Sequence, residues 1–118
     1  MKKIILLCSI ILITKISVAQ IVSCDSAKYY GGKIISVKGT VMSTYETHGD
    51  KKSIVLNFGK PFPDQTFQAI IYEEDLSKIK YPPILYLKDK TLIIHGKVKL
   101  TKGQPIIMIN SPDQITEM

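Results

Sequence analysis

Apolar and polar residues alternate with a period of two over four stretches, the pattern of a strand with one buried face. Over residues 33–42, Ile35, Val37, Gly39 and Val41 alternate with Ser36, Lys38 and Thr40. Over residues 53–58, Ile54, Leu56 and Phe58 share one face, and Val55 and Asn57 share the other. Over residues 67–72, Phe67, Ala69 and Ile71 face one way, and Gln68, Ile70 and Tyr72 the other. Over residues 91–100, Leu92, Ile94, Gly96, Val98 and Leu100 alternate with Ile93, His95, Lys97 and Lys99. A fifth strand is expected over residues 105–110, where Pro105 takes the first position, the place in a strand that tolerates proline.

The breaks between these stretches set the order. Residues 43–52 are polar and carry a Gly49-Asp50 turn signal, so they read as a loop joining two paired strands. Pro61 and Pro63 prevent residues 59–65 from continuing a ladder, which leaves a turn between strands two and three. Residues 73–79 predict a short helix, with Glu73, Glu74 and Asp75 in its first turn and Lys78 near its end, as the macrodipole favours. Pro82 and Pro83 end it. Residues 24–32 predict a one-turn helix capped by Asp25 or Ser26 and closed by Gly31-Gly32. Residues 101–104 form a hairpin turn, and 111–118 a tail in which Ile115 docks. Gly39 and Gly96 interrupt otherwise good strands, which suits a sharp bend or bulge in a closing barrel. The expected fold is all-β: a five-stranded Greek-key barrel of the OB type with one short helix, in the order β-β-β-α-β-β. Another small barrel or a sandwich is the competing architecture.

The first 19 residues change the picture of charge and address. Lys2 and Lys3 precede an apolar run from Ile4 to Ile13, and Ser17-Val18-Ala19 offers a small-x-small cleavage site. This reads as a secretory signal peptide over 1–19, cut after Ala19, followed by one domain over 20–118. The run is too short for a membrane span, which takes about 20 residues. A buried first strand or helix is the bland alternative. Ile21-Val22-Ser23-Cys24 also fits the loose pattern that precedes a lipid-modified cysteine, which would give a lipoprotein anchored at Cys24. The location expected is periplasmic or secreted.

Removing 1–19 leaves 13 lysines against ten acids, so the net charge falls from +6 to +3. Every basic residue is lysine, which weighs against the bidentate phosphate and base recognition for which Arg is favoured. Only Cys24 remains of the two cysteines, so no intrachain disulfide is expected. A chain of this length supports one modest core without such staples.

Four pieces carry a family resemblance. They are Ala27-Lys28-Tyr29-Tyr30-Gly31-Gly32-Lys33 leading into Val37-Lys38-Gly39-Thr40-Val41; Leu56-Asn57-Phe58-Gly59 with Pro63-Asp64-Gln65-Thr66-Phe67; Gly96-Lys97-Val98; and Gly103-Gln104-Pro105 before Ser111-Pro112-Asp113-Gln114-Ile115. Together they resemble a group of small bacterial OB-fold domains, often secreted or appended to non-specific nucleases. The resemblance implies the fold and a nucleic-acid-binding-like character. It implies no nuclease activity, since no nuclease domain fits in the residues that remain.

Catalytic chemistry finds little support. His48 lies in a loop, His95 on a strand and Cys24 stands alone, so no set of side chains has metal-ligand spacing. No glycine-rich loop opens a helix to cradle phosphate. The acids at 73–75 read as a solvated helical turn, and His95 as a half-exposed strand residue. No enzyme and no cofactor are expected.

Binding is the remaining class. OB-folds bind on the outer face of strands two and three, gripped by the loops joining strands one to two and four to five. The candidate ligand-binding residues are Lys38, Thr40, Tyr45, Lys51, Lys52, Asn57, Gln68, Tyr72 and Lys102. A single-stranded nucleic acid or another polyanion would use the lysines for phosphates and Tyr45 or Tyr72 for stacking. A periplasmic protein partner or small ligand, with no nucleic-acid role, is the alternative. The bland reading of Lys51, Lys52, Lys97, Lys99 and Lys102 is solubility.

Overall fold

The computed structural model describes residues 20–118, and the expected signal peptide over 1–19 lies outside the described residues. Eight strands carry the fold. The first, β1 (Ile21–Ser23), pairs in parallel with Ser36–Lys38 of the long strand β2 (Ile34–Thr47). Between them runs a 3-10 helix, Cys24–Tyr30, which buries Cys24 and Ala27. β3 (Ser53–Phe58) and β4 (Phe67–Tyr72) pair along their whole length, from Ser53 opposite Tyr72 to Phe58 opposite Phe67. Two single-turn helices follow, α1 (Glu73–Leu76) and α2 (Pro83–Tyr86). The remaining strands are β5 (Thr91–Lys97), β6 (Lys99–Thr101), β7 (Gln104–Ile109) and β8 (Ile115–Glu117).

The paired strands form one path, β6-β7-β4-β3-β2-β5-β8. β4 and β7 are parallel and the other neighbours on this path antiparallel. Only Val98 separates β5 from β6, so one stretch of chain reaches both sides of the assembly. Besides β1, β2 has two partners in succession on this path, β5 along Ile34–Thr40 and β3 along Val41–Thr47.

The alternation read from the sequence selects the core. Val37, Val41, Leu56, Phe58, Phe67, Ala69, Ile71, Leu92, Ile94 and Val98 are fully buried. The Phe58 and Phe67 rings pack with centroids 5.1 Å apart. Each such aliphatic or aromatic side chain contributes about 1.5–3 kcal/mol on burial, which makes this face the main source of stability.

Several expectations are corrected. The first main strand runs to Thr47, five residues beyond Met42, because residues 43–47 pair with β3 where a loop was expected. Its irregularity lies between Val41 and Ser43, not at Gly39. Gly39 serves close approach: a Cβ there would lie 2.8 Å from the Cys24 sulfur and 3.2 Å from the Phe58 ring. The expected helix over 73–79 is one turn that ends at Leu76, ahead of the proline pair expected to end it; that pair instead starts α2, with Pro83 in the first turn where a missing N–H costs nothing. The tail adds a 3-10 turn, Pro112–Gln114, and the strand β8. Where the sequence suggested five strands, the short β1 and β8 had too few residues for a period to register, and the strand expected over 91–100 is divided at Val98 into β5 and β6.

Candidate nucleic-acid interface

Strand register fixes which side chains share the face opposite the core. Ser43, Asn57, Gln68, Ile106 and Lys99 lie side by side across β2, β3, β4, β7 and β6. Tyr45, Val55, Ile70 and Met108 form the next row. Thr47, Ser53 and Tyr72 form a third, beside the 48–52 loop.

The first three members of the first row, Ser43, Asn57 and Gln68, form a hydrogen-bonded polar chain. The Gln68 amide donates to Asn57 Oδ1 at 2.9 Å, and the Asn57 amide donates to Ser43 Oγ at 3.2 Å. Ser43 Oγ also accepts from the Phe62 backbone N–H at 3.1 Å. That last bond pins the loop of residues 59–66 onto the outer face. Its Phe62 ring meets Tyr45 edge-on at 5.3 Å, and Phe62 itself stays 56% exposed. Under this loop Asn57 is 0% and Gln68 8% exposed. Both were expected to be available to a ligand. They lie on the outer face as expected, but their amides are spent on each other and on Ser43, because a buried amide left unpaired costs about 1–3 kcal/mol. Val55, also assigned outward, is buried, and Ile70 is half-buried.

The other candidates are spread around this face. Tyr45 stands on β2, not in a loop, and Tyr72 ends β4, half-buried. Lys51 and Lys52 project from the 48–52 loop at one end and pair with Glu74 at 3.7 Å and Glu46 at 3.3 Å. Lys102 sits at the opposite end, in the β6–β7 turn, with a left-handed φ of 51°. There it lines a cleft of about 390 Å³ with Asp25, Lys28 and Gln65. Lys38 and Thr40 lie on the β5-paired half of β2, across the bulge from Tyr45, and Thr40 Oγ1 is 2.9 Å from Thr91 Oγ1. The structure therefore groups Tyr45, Asn57, Gln68 and Tyr72 on one face, flanks it with Lys51, Lys52 and Lys102, and sets Lys38 and Thr40 apart.

Phe62 is the site residue that sequence reasoning missed. It stood in a proline-rich turn, where periodicity carries no information about which surface a loop covers. Its one sequence signal was a large aromatic flanked by Pro61 and Pro63, with no apolar partner nearby.

Cys24 bears on the anchoring alternative. Its thiol is buried against Gly39, and burial pushes its pKa up. In this arrangement β1 lies beside β2, and cleavage before Cys24 would remove it. His95, read as half-exposed, is exposed, with Nδ1 3.0 Å from Ser36 Oγ. Among the described residues no helix is long and apolar enough to cross a membrane.

No protein-family model and no curated protein matches the chain. Solved structures do. A structure of yeast Stn1 and Ten1 aligns over 86% of this chain and 64% of that one, at 13% identity and a TM-score of 0.57. A protein described as an aspartyl-tRNA synthetase, from Leishmania major, aligns over 89% of this chain and 22% of its own, at 14% identity and a TM-score of 0.50. A protein described as a nucleic acid-binding lipoprotein, from Klebsiella pneumoniae, aligns over 80% and 77%, at 10% identity and a TM-score of 0.47. The chain spans less than two thirds of the length of the first two. At these identities the likeness is one of fold, a mostly β, OB-like architecture.

Proposed function

We propose that the chain is a secreted or periplasmic OB-fold module, without catalysis, that binds single-stranded nucleic acid or a similar polyanion. In this reading β2, β3, β4, the continuous 91–101 stretch and β7 are the five barrel strands, with β1 and β8 as additions at its edges. The observation that carries the binding part is the pair Tyr45–Phe62: an aromatic platform on the outer face, with the Phe62 ring 56% exposed. Sequence-tolerant strand binding needs such a platform beside cationic side chains that track the backbone. Lys60 precedes Phe62 on the same loop, and Lys51, Lys52 and Lys102 flank the face. The likeness to a protein named for its RNA substrate is consistent with this use of the fold. The non-catalytic part rests on the sequence, whose histidines, cysteine and acids form no catalytic motif.

The test is fluorescence anisotropy with short single-stranded DNA and RNA at low and moderate salt. The expected result is saturable binding that weakens as salt rises. Phe62→Ala should weaken it by about 1–3 kcal/mol, the value of one stacked base. Absence of binding at low salt would remove nucleic acid from the reading, and wild-type affinity in Phe62→Ala would take the Tyr45–Phe62 platform out of the site; either result leaves the fold assignment standing.

A further inference from the structure

A second concavity lies away from the Tyr45–Phe62 platform. It is a groove of about 860 Å³ where the Gly31-Gly32 turn, the β5–β6 stretch and the end of β7 meet. That volume lies within the range of small-molecule sites. Gly31, Leu100 and Met108 are among its apolar lining residues, and beside His95, Lys97 and Lys99 its polar lining includes the neutral side chains of Asn110, Ser111 and Gln114.

Three observations define what would fit. First, the charge is of one sign: no carboxylate of the described residues lines the groove, and neither Lys97 nor Lys99 forms an ion pair with a described residue. Second, the apolar part is aliphatic. No Phe, Tyr or Trp lines it, so it offers no stacking surface for a base or sugar ring. Leu100, 45% exposed although the alternation placed it inward, lies where a Cβ on Gly31 would come within 2.7 Å of its side chain. The glycine therefore lets an aliphatic wall form at the surface. Met108 adds a flexible, adaptable side chain. Third, Lys97 at the end of β5 and Lys99 at the start of β6 are both exposed while Val98 between them is buried, as alternation along this stretch requires.

We propose that this groove binds an amphipathic anion of the fatty-acid kind, a single carboxylate on an unbranched aliphatic chain. The chain lies along Leu100 and Met108, and the carboxylate stays at the wet edge between Lys97 and Lys99. This site uses neither aromatic ring of the platform, although Met108 and Lys99 stand at the far ends of the same outer-face rows.

The experiment titrates the full chain, labelled with nitrogen-15, with sodium decanoate below its micelle concentration. A parallel titration uses decyltrimethylammonium, which has the same tail and the opposite charge. Decanoate should saturate and shift the amides of Gly31, Gly32, Val98, Leu100 and Met108, and the cation should not. Lys97→Gln with Lys99→Gln should weaken decanoate binding at least about tenfold with an unchanged melting temperature, because both side chains are exposed and unpaired. Equal response to both amphiphiles would overturn the proposal. So would wild-type affinity in the double variant, or shifts spread over exposed apolar residues such as Leu85, which signify partitioning.

Discussion

The side-chain amide of Gln114 donates to the backbone carbonyl of His95 at 2.9 Å, tying the C-terminal turn to the middle of β5. The same nitrogen donates to the Met108 carbonyl on β7 at 3.0 Å. Its oxygen accepts from the backbone N–H groups of Asn110 at 2.8 Å and Ser111 at 3.1 Å. One amide thus fills its full donor and acceptor capacity and joins β5 to β7, which share no ladder.

Gln114→Ala should therefore lower stability by about 2 kcal/mol, since each net hydrogen bond contributes about 0.5–1.5 kcal/mol and part of the site rehydrates. Urea denaturation measures it. Gln114→Glu should cost at least as much at neutral pH, because the carboxylate has no proton to donate to either carbonyl. A variant as stable as the wild type would show that the clasp adds nothing to the closure.

Gly39→Val and Gly96→Val should both destabilise the fold, by about 2 kcal/mol or more, the scale of overpacking. At Gly96 the added Cβ would come within 2.7 Å of Ile107 Cγ2. At Gly39 the obstacle is Cys24, so Gly39→Ala should cost less in a Cys24→Ala background than alone. That coupling, read from a double-mutant cycle, separates close packing from backbone conformation as the reason for the glycine.

Lys51→Glu with Lys52→Glu should change stability by less than about 1 kcal/mol. Both ion pairs are largely solvated, and exposed pairs contribute little. Affinity for an oligonucleotide should fall, and its salt dependence should flatten, as two phosphate contacts are lost. Unchanged affinity would take the 48–52 loop out of the interface.

Stability should decline in alkaline solution. Burial raises the Cys24 thiol above its ordinary value of 9.0, with a hydrogen bond from Thr66 opposing it. Above that value the unfolded chain loses the proton while the folded chain keeps it, so the folded state binds more protons and stability falls with rising pH. The contribution is fully present below about pH 9 and is lost as pH climbs through the folded value. Burial, helped by Glu117, raises Tyr81 above 10.0, so it acts in the same direction at higher pH. Thermal melting against pH should show an earlier decline in the wild type than in Cys24→Ala.

The sequence by itself determined the long strands over 53–58 and 67–72 and the face each one buries. Alternation is a local property: Ile54, Leu56 and Phe58, like Phe67, Ala69 and Ile71, announce a shared inner face whatever the rest of the chain does. All six are buried. The parallel pairing of β7 with β4 was not in that pattern, because alternation says which face a strand buries and not which strand lies beside it. What only the tertiary structure decided is the state of the outer face. Phe62 reaches Ser43 from 19 positions away, and Gln114 reaches His95 across the same span. Contacts of that range leave no periodic trace, because they depend on where a non-repeating loop happens to land. So the sequence showed Asn57 and Gln68 as outward polar residues, and only folding revealed that the chain covers them itself and leaves Phe62 exposed in their place.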